Sequence, residues 1–347
     1  MNYDAKDIRN VVLLGHSGSG KTSFVECMLY EAKAVARRGK IEDGNTVSDF
    51  TNIEQTRQSS IFSTLMHVGW KDTKINILDT PGADDFVGEV VSAMKVADTA
   101  LMVLNAKSGV EVGTELIWEY VQTFKTPTVF VVNQLDHDKA DYDATLEQAR
   151  QRFGNRVLAV QYPLSSDGNF DTIIDALRMV AYKFPAAGGK PEKHAIPQAE
   201  MSRAEEMHQA LVEAAAEGDE GLMEMFFENG TLTEEELAKG LNVALANQSF
   251  FPVFCASALK NMGSGRIMGF IHDICPSPAE RPAASLANGK TLVCDAKGKT
   301  AAFILPALQL ISQKPLPQPE DNSQRVKGRR PRPQPARPHL VVLTPTR

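Results

Sequence analysis

The first 280 residues alternate short apolar runs with longer amphipathic stretches. Largely apolar runs, each about the length of a buried strand, occupy 10–14, 74–78, 99–104, 127–132 and 251–255. Helical patterns occupy 21–34, 87–96, 113–124, 143–153 and 265–275. This alternation predicts an α/β fold, a doubly wound and mostly parallel sheet with helices on both faces.

The stretch 157–250 interrupts that rhythm. It opens with a strand pattern at 156–162 and becomes helix-rich from about 200 to 248. Thr233, followed three residues later by Glu236, has the pattern of a capping box at the start of a helix. We therefore predict an α+β subdomain, 157–250, inserted into a domain that covers 1–280.

The composition changes after residue 280. Residues 281–304 can form one hairpin around Asp295, which we interpret as the partial start of a β-barrel domain. Residues 305–347 hold nine of the 19 prolines and a net charge of +6, which predicts a disordered Pro/Arg-rich tail. The alternative interpretation of this tail is a basic arm that binds RNA or an anionic membrane.

Charge and composition narrow the functional classes. The whole chain has a net charge of −6, so residues 1–304 carry −12 and are not expected to bind nucleic acid nonspecifically. No apolar run is long enough to span a bilayer, and the N-terminus lacks a signal-peptide pattern. The cysteines are too dispersed for a zinc site or a disulfide framework: Cys27, Cys255, Cys275 and Cys294. We expect a cytoplasmic monomer with buried thiols.

A Gly/Ser-rich turn separates the first predicted strand from the first predicted helix. It matches the phosphate-loop pattern GxxxxGK[ST] with Gly15, His16, Ser17, Gly18, Ser19, Gly20, Lys21 and Thr22. Backbone N–H groups of such a turn, and the helix N-terminus behind it, bind phosphate oxygens. In this pattern Lys21 places its charge on the β- and γ-phosphates, and the Thr22 hydroxyl ligates Mg²⁺.

A second polar group follows the strand at 74–78. It consists of Asp79, Thr80, Pro81 and Gly82. Asp79, at the end of a buried strand beside the phosphate loop, can hold Mg²⁺ through water. Gly82 can offer its backbone N–H to a γ-phosphate.

Two further groups predict which base is bound. Asn133, Gln134 and Asp136 follow the strand at 127–132. The Asp136 carboxylate can accept hydrogen bonds from guanine N1–H and the exocyclic amine, whereas adenine would leave it unpaired at a cost of about 1–3 kcal/mol. Gln134 can cover the base.

The last group follows the strand at 251–255 and consists of Ser257, Ala258 and Leu259. Its backbone can meet guanine O6. All four groups lie at the carboxyl ends of predicted parallel strands, the edge at which such sheets bind ligands. Together they predict a guanine-nucleotide site, for GTP or GDP with Mg²⁺.

With these residues in place, the chain resembles elongation factor G, a translational GTPase. The similarity extends over about residues 5–304 and is carried by segments outside the nucleotide motifs: 43–49 and 54–57 for the family's first switch, 211–217 and 232–237 for its inserted subdomain, and 271–278 for the exit into its second domain. The resemblance implies a GTPase whose partner is the ribosome, through the RNA and protein of the factor-binding site. It implies GTP-driven movement of messenger and transfer RNA, and neither DNA nor a membrane as a partner.

Two departures from the family pattern concern binding. Ser60 takes the place of a threonine in the first switch and can still ligate Mg²⁺, which makes Thr22, Ser60 and Asp79 the predicted metal ligands. Gln134 stands where the family has lysine.

A third departure concerns catalysis. Ala83 follows Gly82 where the family has a histidine that positions the attacking water. Without a replacement, hydrolysis should be about 10²–10⁴-fold slower. His16 and His137 are the nearest candidates by motif, and we interpret His16 as structural. Lys21 and Gly82 remain as the candidate catalytic residues.

A fourth departure concerns length. The resemblance ends near Phe303, whereas elongation factor G continues for several domains, and the tail is what an altered reading frame would produce. The leading hypothesis is a translational GTPase in truncated form. The alternatives are a GTP-holding ribosome-binding module that barely hydrolyses, a ribosome-protection or release-factor type GTPase, and a nonfunctional truncation product.

Overall fold

The structure is a computed structural model, and it describes residues 3–165, 169–186 and 189–281. It also describes the backbone of Ala284–Ser285, paired antiparallel with Thr291–Leu292. The hairpin expected around Asp295 and the tail at 305–347 lie outside the described residues.

Helices and strands alternate along most of the described chain. The helices are α1 (Lys21–Glu31), α2 (Asn52–Arg57), α3 (Val87–Val96), α4 (Val112–Phe124), α5 (Tyr142–Phe153), α6 (Met201–Ala216), α7 (Glu220–Asn229), α8 (Glu234–Ala246) and α9 (Ser264–Asp273). The strands are β1 (Ile8–Leu14), β2 (Thr64–Trp70), β3 (Thr73–Asp79), β4 (Thr99–Asn105), β5 (Thr128–Asn133), β6 (Val157–Ala159), β7 (Gln161–Pro163), β8 (Thr172–Asp175), β9 (Val180–Lys183), β10 (Glu192–His194) and β11 (Phe251–Cys255), followed by the short pair β12 (Ala284–Ser285) and β13 (Thr291–Leu292).

Seven strands form the central sheet, in the order β2-β3-β1-β4-β5-β11-β6. Every neighbouring pair is parallel except β2 and β3. The predicted α/β fold with a mostly parallel sheet is therefore confirmed. In this order the carboxyl ends of β1, β3, β5 and β11 lie along one edge.

Alternate residues of the central strands face two separate apolar layers. On β1, Val12 and Leu14 belong to one layer, while Val11 and Leu13 belong to the other. The first layer packs α3, α4 and α5 against the sheet, and the second packs α1, α9 and the inserted helices α6 and α8. The central strands are buried on both faces, which explains why they appear in the sequence as apolar runs.

The antiparallel edge strand β2 was not predicted. Along it, Met66 and Val68 are buried, whereas Leu65 and His67 are exposed. Because only one face of this strand is covered, its sequence carries alternation instead of an apolar run.

The chain between β6 and β11 builds a second, four-stranded antiparallel sheet, in the order β10-β9-β8-β7, and then α6, α7 and α8. The predicted capping box is present at the start of α8, where Thr233 Oγ1 accepts from Glu236 N at 3.3 Å. The buried Asp175 of β8 accepts a hydrogen bond from Arg266 Nε of α9 at 2.8 Å. This ion pair ties the second sheet to the main domain.

No described helix has the length and apolar character that a membrane crossing would need.

Arg281, which follows the domain's last helical turn, is held at the sheet by the buried acid Asp98. Asp98, just before β4, is 2% exposed and accepts hydrogen bonds from the Asn10 backbone N and side-chain Nδ2 at 3.3 and 2.8 Å. Arg281 Nη1 lies 3.3 Å from its other oxygen. Burial raises the pKa of Asp98 to about 6, although Arg281 and Asn10 oppose the rise.

This buried acid predicts a pH-dependent loss of stability. Because its folded pKa is raised, the contribution of Asp98 is fully present below the unfolded pKa and is lost as pH rises through about 6. Between pH 4 and 7.5 the unaltered chain should therefore lose about 2 kcal/mol of unfolding free energy relative to Asp98→Asn. Urea unfolding at a series of pH values measures this difference. Glu205→Gln, at an exposed helix position, should show no such trend; a flat difference for Asp98→Asn would contradict the prediction.

Candidate nucleotide-binding site

All four predicted groups start where β1, β3, β5 and β11 end, and hydrogen bonds join them. Asn133, the last residue of β5, donates from Nδ2 to the Ser19 carbonyl of the phosphate loop at 3.0 Å. Its Oδ1 accepts from the backbone N–H of Ala258 at 2.9 Å. Thr80 Oγ1 donates to the carbonyl of Leu13 in β1 at 2.5 Å. The groups are therefore neighbours along one edge of the sheet.

Two positions of the phosphate loop require glycine because neighbouring groups occupy the space that a Cβ would need. Gly15 has φ +137°, and a Cβ there would collide with the carbonyl oxygen of Val103. Gly20 has φ +88°, and a Cβ would lie 2.5 Å from Asn133 Nδ2. A side chain at either position would thus be strained in φ and would displace a neighbouring group.

The side chain of Lys21 reaches back into the phosphate loop. Its Nζ donates to the carbonyl oxygens of Gly15 at 2.7 Å and His16 at 3.0 Å. Burial lowers the pKa of Lys21 to about 8, and the nearby Asp79 opposes the fall. The ammonium therefore stays mostly charged at neutral pH. Gly82 approaches it so closely that a Cβ on Gly82 would lie 2.5 Å from Nζ.

Hydroxyl groups from three segments surround the carboxylate of Asp79. Its Oδ2 accepts from Thr22 Oγ1 at 2.8 Å and from Ser48 Oγ at 2.7 Å, and Thr22 Oγ1 lies 3.2 Å from Ser60 Oγ. The other oxygen, Oδ1, is buried and has no partner within the part of the chain that the structure describes. Burial raises the pKa of Asp79 to about 6, and the Ser48 and Thr22 hydrogen bonds limit the rise.

This cluster brings together the three predicted metal ligands and adds Ser48, which the sequence analysis did not assign. Across the described ranges, no group of three or more His, Cys, Asp or Glu side chains is arranged to hold a metal ion. One carboxylate with hydroxyl groups suits Mg²⁺, which binds few protein carboxylates and completes its shell with water and phosphate. The orphaned Asp79 Oδ1 is consistent with such an ion.

Two buried glutamates hold the chain segment that carries Ser48 and Ser60. Glu26 of α1 accepts from the backbone N–H groups of Gly39 at 2.7 Å and Val47 at 2.6 Å. Glu54 of α2 accepts from the N–H groups just after Ser60, those of residues 61 and 62, at 3.0 and 3.1 Å. Each carboxylate thus replaces water for at least two backbone donors and fixes one end of the segment.

The base-recognition residues lie on the opposite side of the phosphate loop. Ser257 Oγ donates to Asp136 Oδ1 at 2.5 Å, while Asp136 Oδ2 has no hydrogen-bond partner among the described residues. Gln134 Nε2 donates to the Gly18 carbonyl at 2.9 Å, so its side chain spans the loop. One oxygen of the carboxylate is held in place and the other is free for a ligand.

Ala83 begins a short turn after Gly82 and lines a cavity of about 140 Å³, together with Pro81 and residues of α3 and α4. Nδ1 of each candidate imidazole has a partner, whereas His16 Nε2 is buried and has none in the described chain. His16 Nδ1 lies 3.1 Å from Glu111 Oε2 and 2.8 Å from the Ser17 carbonyl, and burial lowers the pKa of the ring although Glu111 opposes the fall. His137 Nδ1 accepts from the backbone of Lys139 at 3.0 Å.

Comparison with known proteins identifies a family model and a solved structure that are similar to this chain. Residues 6–277 match the family model described as Elongation factor Tu GTP binding domain. The chain is also similar to a protein from Thermus thermophilus of known crystal structure, with a TM-score of 0.75 and 34% sequence identity. That similarity covers 80% of this chain and 41% of the Thermus chain, so this chain spans less than half of its length.

The matched region starts before β1, ends after α9 and includes all four groups of site residues. It exceeds half of the chain. The chain therefore belongs to the family of elongation factor Tu type GTP-binding domains, the GTPase domains of translation factors.

Proposed function

We propose that this chain is the GTP-binding and GTP-hydrolysing part of a translation factor of the elongation factor G type, which acts on the ribosome in the cytoplasm. The observation that carries the nucleotide part is Asp136. One of its oxygens is fixed by Ser257 and the other has no partner in the described chain. A carboxylate held in this way matches the paired donors of guanine and leaves adenine without a counterpart.

The phosphate end of the site supports a triphosphate with Mg²⁺. Gly15 to Thr22 offer backbone N–H groups, and Lys21 supplies a buried positive charge beside Gly82. Thr22, Ser60 and Asp79 would hold Mg²⁺, which would draw charge from the phosphate oxygens. Lys21 and the Gly82 N–H stabilise negative charge that develops on the γ-phosphate.

The two residues that would sense the γ-phosphate lie in different segments. Ser60 belongs to the segment held by Glu26 and Glu54, and Gly82 directly precedes the turn that begins at Ala83. Loss of the phosphate would remove an interaction from both segments at once. This is the arrangement of a two-state timer, in which hydrolysis releases two switch loops.

The ribosome as partner rests on the family and on the elongation factor G resemblance of the switch and inserted segments. Incubation of the full chain with GTP, with and without ribosomes, tests it. We expect ribosomes to increase the GTP turnover rate; the same rate with and without ribosomes would contradict this part of the proposal.

One observation favours a second candidate, a module that holds GTP and hydrolyses almost none. Ala83 has no side chain that can orient water, and Nδ1 of each candidate histidine is engaged with another residue. In this form the domain would dock on the ribosome in its GTP-bound state and remain bound.

The base-reading role of Asp136 predicts a switch in base preference. Asp136→Asn keeps an oxygen for Ser257 but replaces an acceptor with an amide donor, which suits the C2 carbonyl of xanthine. GDP should bind about 10–100-fold more weakly, and xanthosine diphosphate should bind more tightly than to the unaltered chain. Calorimetric titration with both nucleotides measures the change. Asp138→Asn, at an exposed position two residues on, is the control; unchanged GDP affinity for Asp136→Asn would count against the proposed site.

The proposed Mg²⁺ ligands Thr22, Ser60 and Asp79 predict a loss of affinity that is specific to the triphosphate. Ser60→Ala removes one hydroxyl next to Thr22, so a non-hydrolysable GTP analogue should bind about 10-fold more weakly at a fixed, low millimolar Mg²⁺ concentration, while GDP should bind nearly as before. Titrations of both nucleotides over a range of Mg²⁺ concentrations separate the two effects. Ser59→Ala is the neighbouring control, and an equal loss for both nucleotides would show that Ser60 does not sense the triphosphate.

Because Ala83 stands where the family has a histidine, a histidine at this position should increase the rate of GTP hydrolysis. Ala83→His places an imidazole beside the cavity between α3 and α4 and should raise single-turnover GTP hydrolysis by about 10²-fold or more. Ala83→Phe fills the same space without a hydrogen-bonding group and should give no gain. If GTP binds to Ala83→His as before but is hydrolysed no faster, another group already positions the attacking water, which would contradict the prediction.

A further inference from the structure

The loop that follows β11 is held in place by an arginine from the opposite side of the site. Arg38 Nη1 donates to the carbonyl oxygen of Ala258 at 2.6 Å and to that of Leu259 at 3.2 Å. Arg38 precedes Gly39, which Glu26 binds through its backbone N–H. The base-recognition loop is therefore tied to the same segment that carries Ser48 and Ser60.

A buried thiol supports the same carbonyl. Cys27 Sγ of α1 lies 3.0 Å from the carbonyl oxygen of Ala258 and 3.5 Å from Arg38 Nη1. Burial raises the pKa of Cys27 to about 11, so the sulfur keeps its proton at neutral pH and can donate it. The Ala258 carbonyl thus has two donors on one side.

The orientation of this carbonyl sets the direction of the next N–H. In a trans peptide the C=O of Ala258 and the N–H of Leu259 point to opposite sides of one plane. A carbonyl that is fixed towards Arg38 and Cys27 therefore fixes the Leu259 N–H in the direction away from them.

The neighbouring N–H groups of this loop are already used. That of Ser257 donates to Met262 O at 3.1 Å, that of Ala258 to Asn133 Oδ1 at 2.9 Å, and that of Lys260 to Ser257 Oγ at 3.0 Å. The N–H of Leu259 has no partner in the described chain, although it sits between three satisfied donors. A free backbone donor beside Asp136 and Asn133 is the group that a base oxygen requires.

We propose that Arg38 is a positioning residue for base recognition, which with Cys27 orients the Ala258–Leu259 peptide so that the Leu259 N–H donates to guanine O6. The inference rests on the proposed guanine-nucleotide site and adds to it a residue from outside the four motifs. Arg38 touches the loop and not the nucleotide, so its effect should be confined to the O6 contact.

The test compares Arg38→Ala with the unaltered full chain on three nucleotides. GDP offers O6, 6-thio-GDP replaces it with a sulfur that accepts hydrogen bonds weakly, and inosine diphosphate keeps O6 but lacks the amine read by Asp136. In Arg38→Ala we expect GDP affinity to fall about 3–10-fold and the affinity ratio of GDP to 6-thio-GDP to shrink towards one. The ratio of GDP to inosine diphosphate should stay as it is in the unaltered chain.

Arg37→Ala is the matched control, because Arg37 is the exposed neighbour of Arg38 and makes no hydrogen bond or ion pair in the described structure. It should leave all three affinities unchanged. Retention of GDP affinity and of the full 6-thio-GDP ratio in Arg38→Ala would overturn the inference alone. An equal collapse of both ratios would also overturn it, since that would indicate general loosening of the pocket. Failure of the unaltered chain to bind GDP would overturn the proposed function and the inference with it.

Discussion

The nucleotide site depends on one buried carboxylate oxygen. Oδ2 of Asp79, at the end of β3, accepts hydrogen bonds from Thr22 at the start of α1 and from Ser48 in the loop held by Glu26. A buried carboxylate is costly unless it is paired, and this one combines two hydroxyl donors with the nearby charge of Lys21. Removal of Asp79 would leave these groups without their common acceptor, so the phosphate loop and the Ser48 segment would lose their shared anchor.

The same segment extends to the other end of the site. It begins at Arg38, whose guanidinium holds the carbonyls of the base-recognition loop, and it ends beside Ser60, next to Thr22. The loop predicted to read the base and the predicted Mg²⁺ ligands are therefore bonded to one stretch of chain, which Glu26 of α1 and Glu54 of α2 hold in place.

Sequence reasoning was most accurate where burial is complete on both faces. The run predicted at 251–255 coincides with β11, and the other buried strands agree within two residues. The helical pattern at 87–96, which is covered on one face only, coincides with α3. The strand pattern predicted at 156–162 covers β6 and most of β7, whereas β2 and β8–β10 were not predicted because short or half-covered strands leave no apolar run. The phosphate loop and its partner motifs are local in sequence and were predicted; their roles in binding remain predictions. Ser48, Glu26 and Arg38 could not be identified, because their partners lie 13 to 220 residues away along the chain.

The proposed nucleotide site is defined by the base that it selects and by the ion that it holds. The decisive measurement is calorimetric titration of the full chain with GDP and with ADP, each with Mg²⁺ and with the ion removed by a chelator. We expect GDP to bind at least about 10-fold more tightly than ADP, and more tightly still with Mg²⁺ present. Equal affinity for both nucleotides, or no binding of GDP at all, would contradict it.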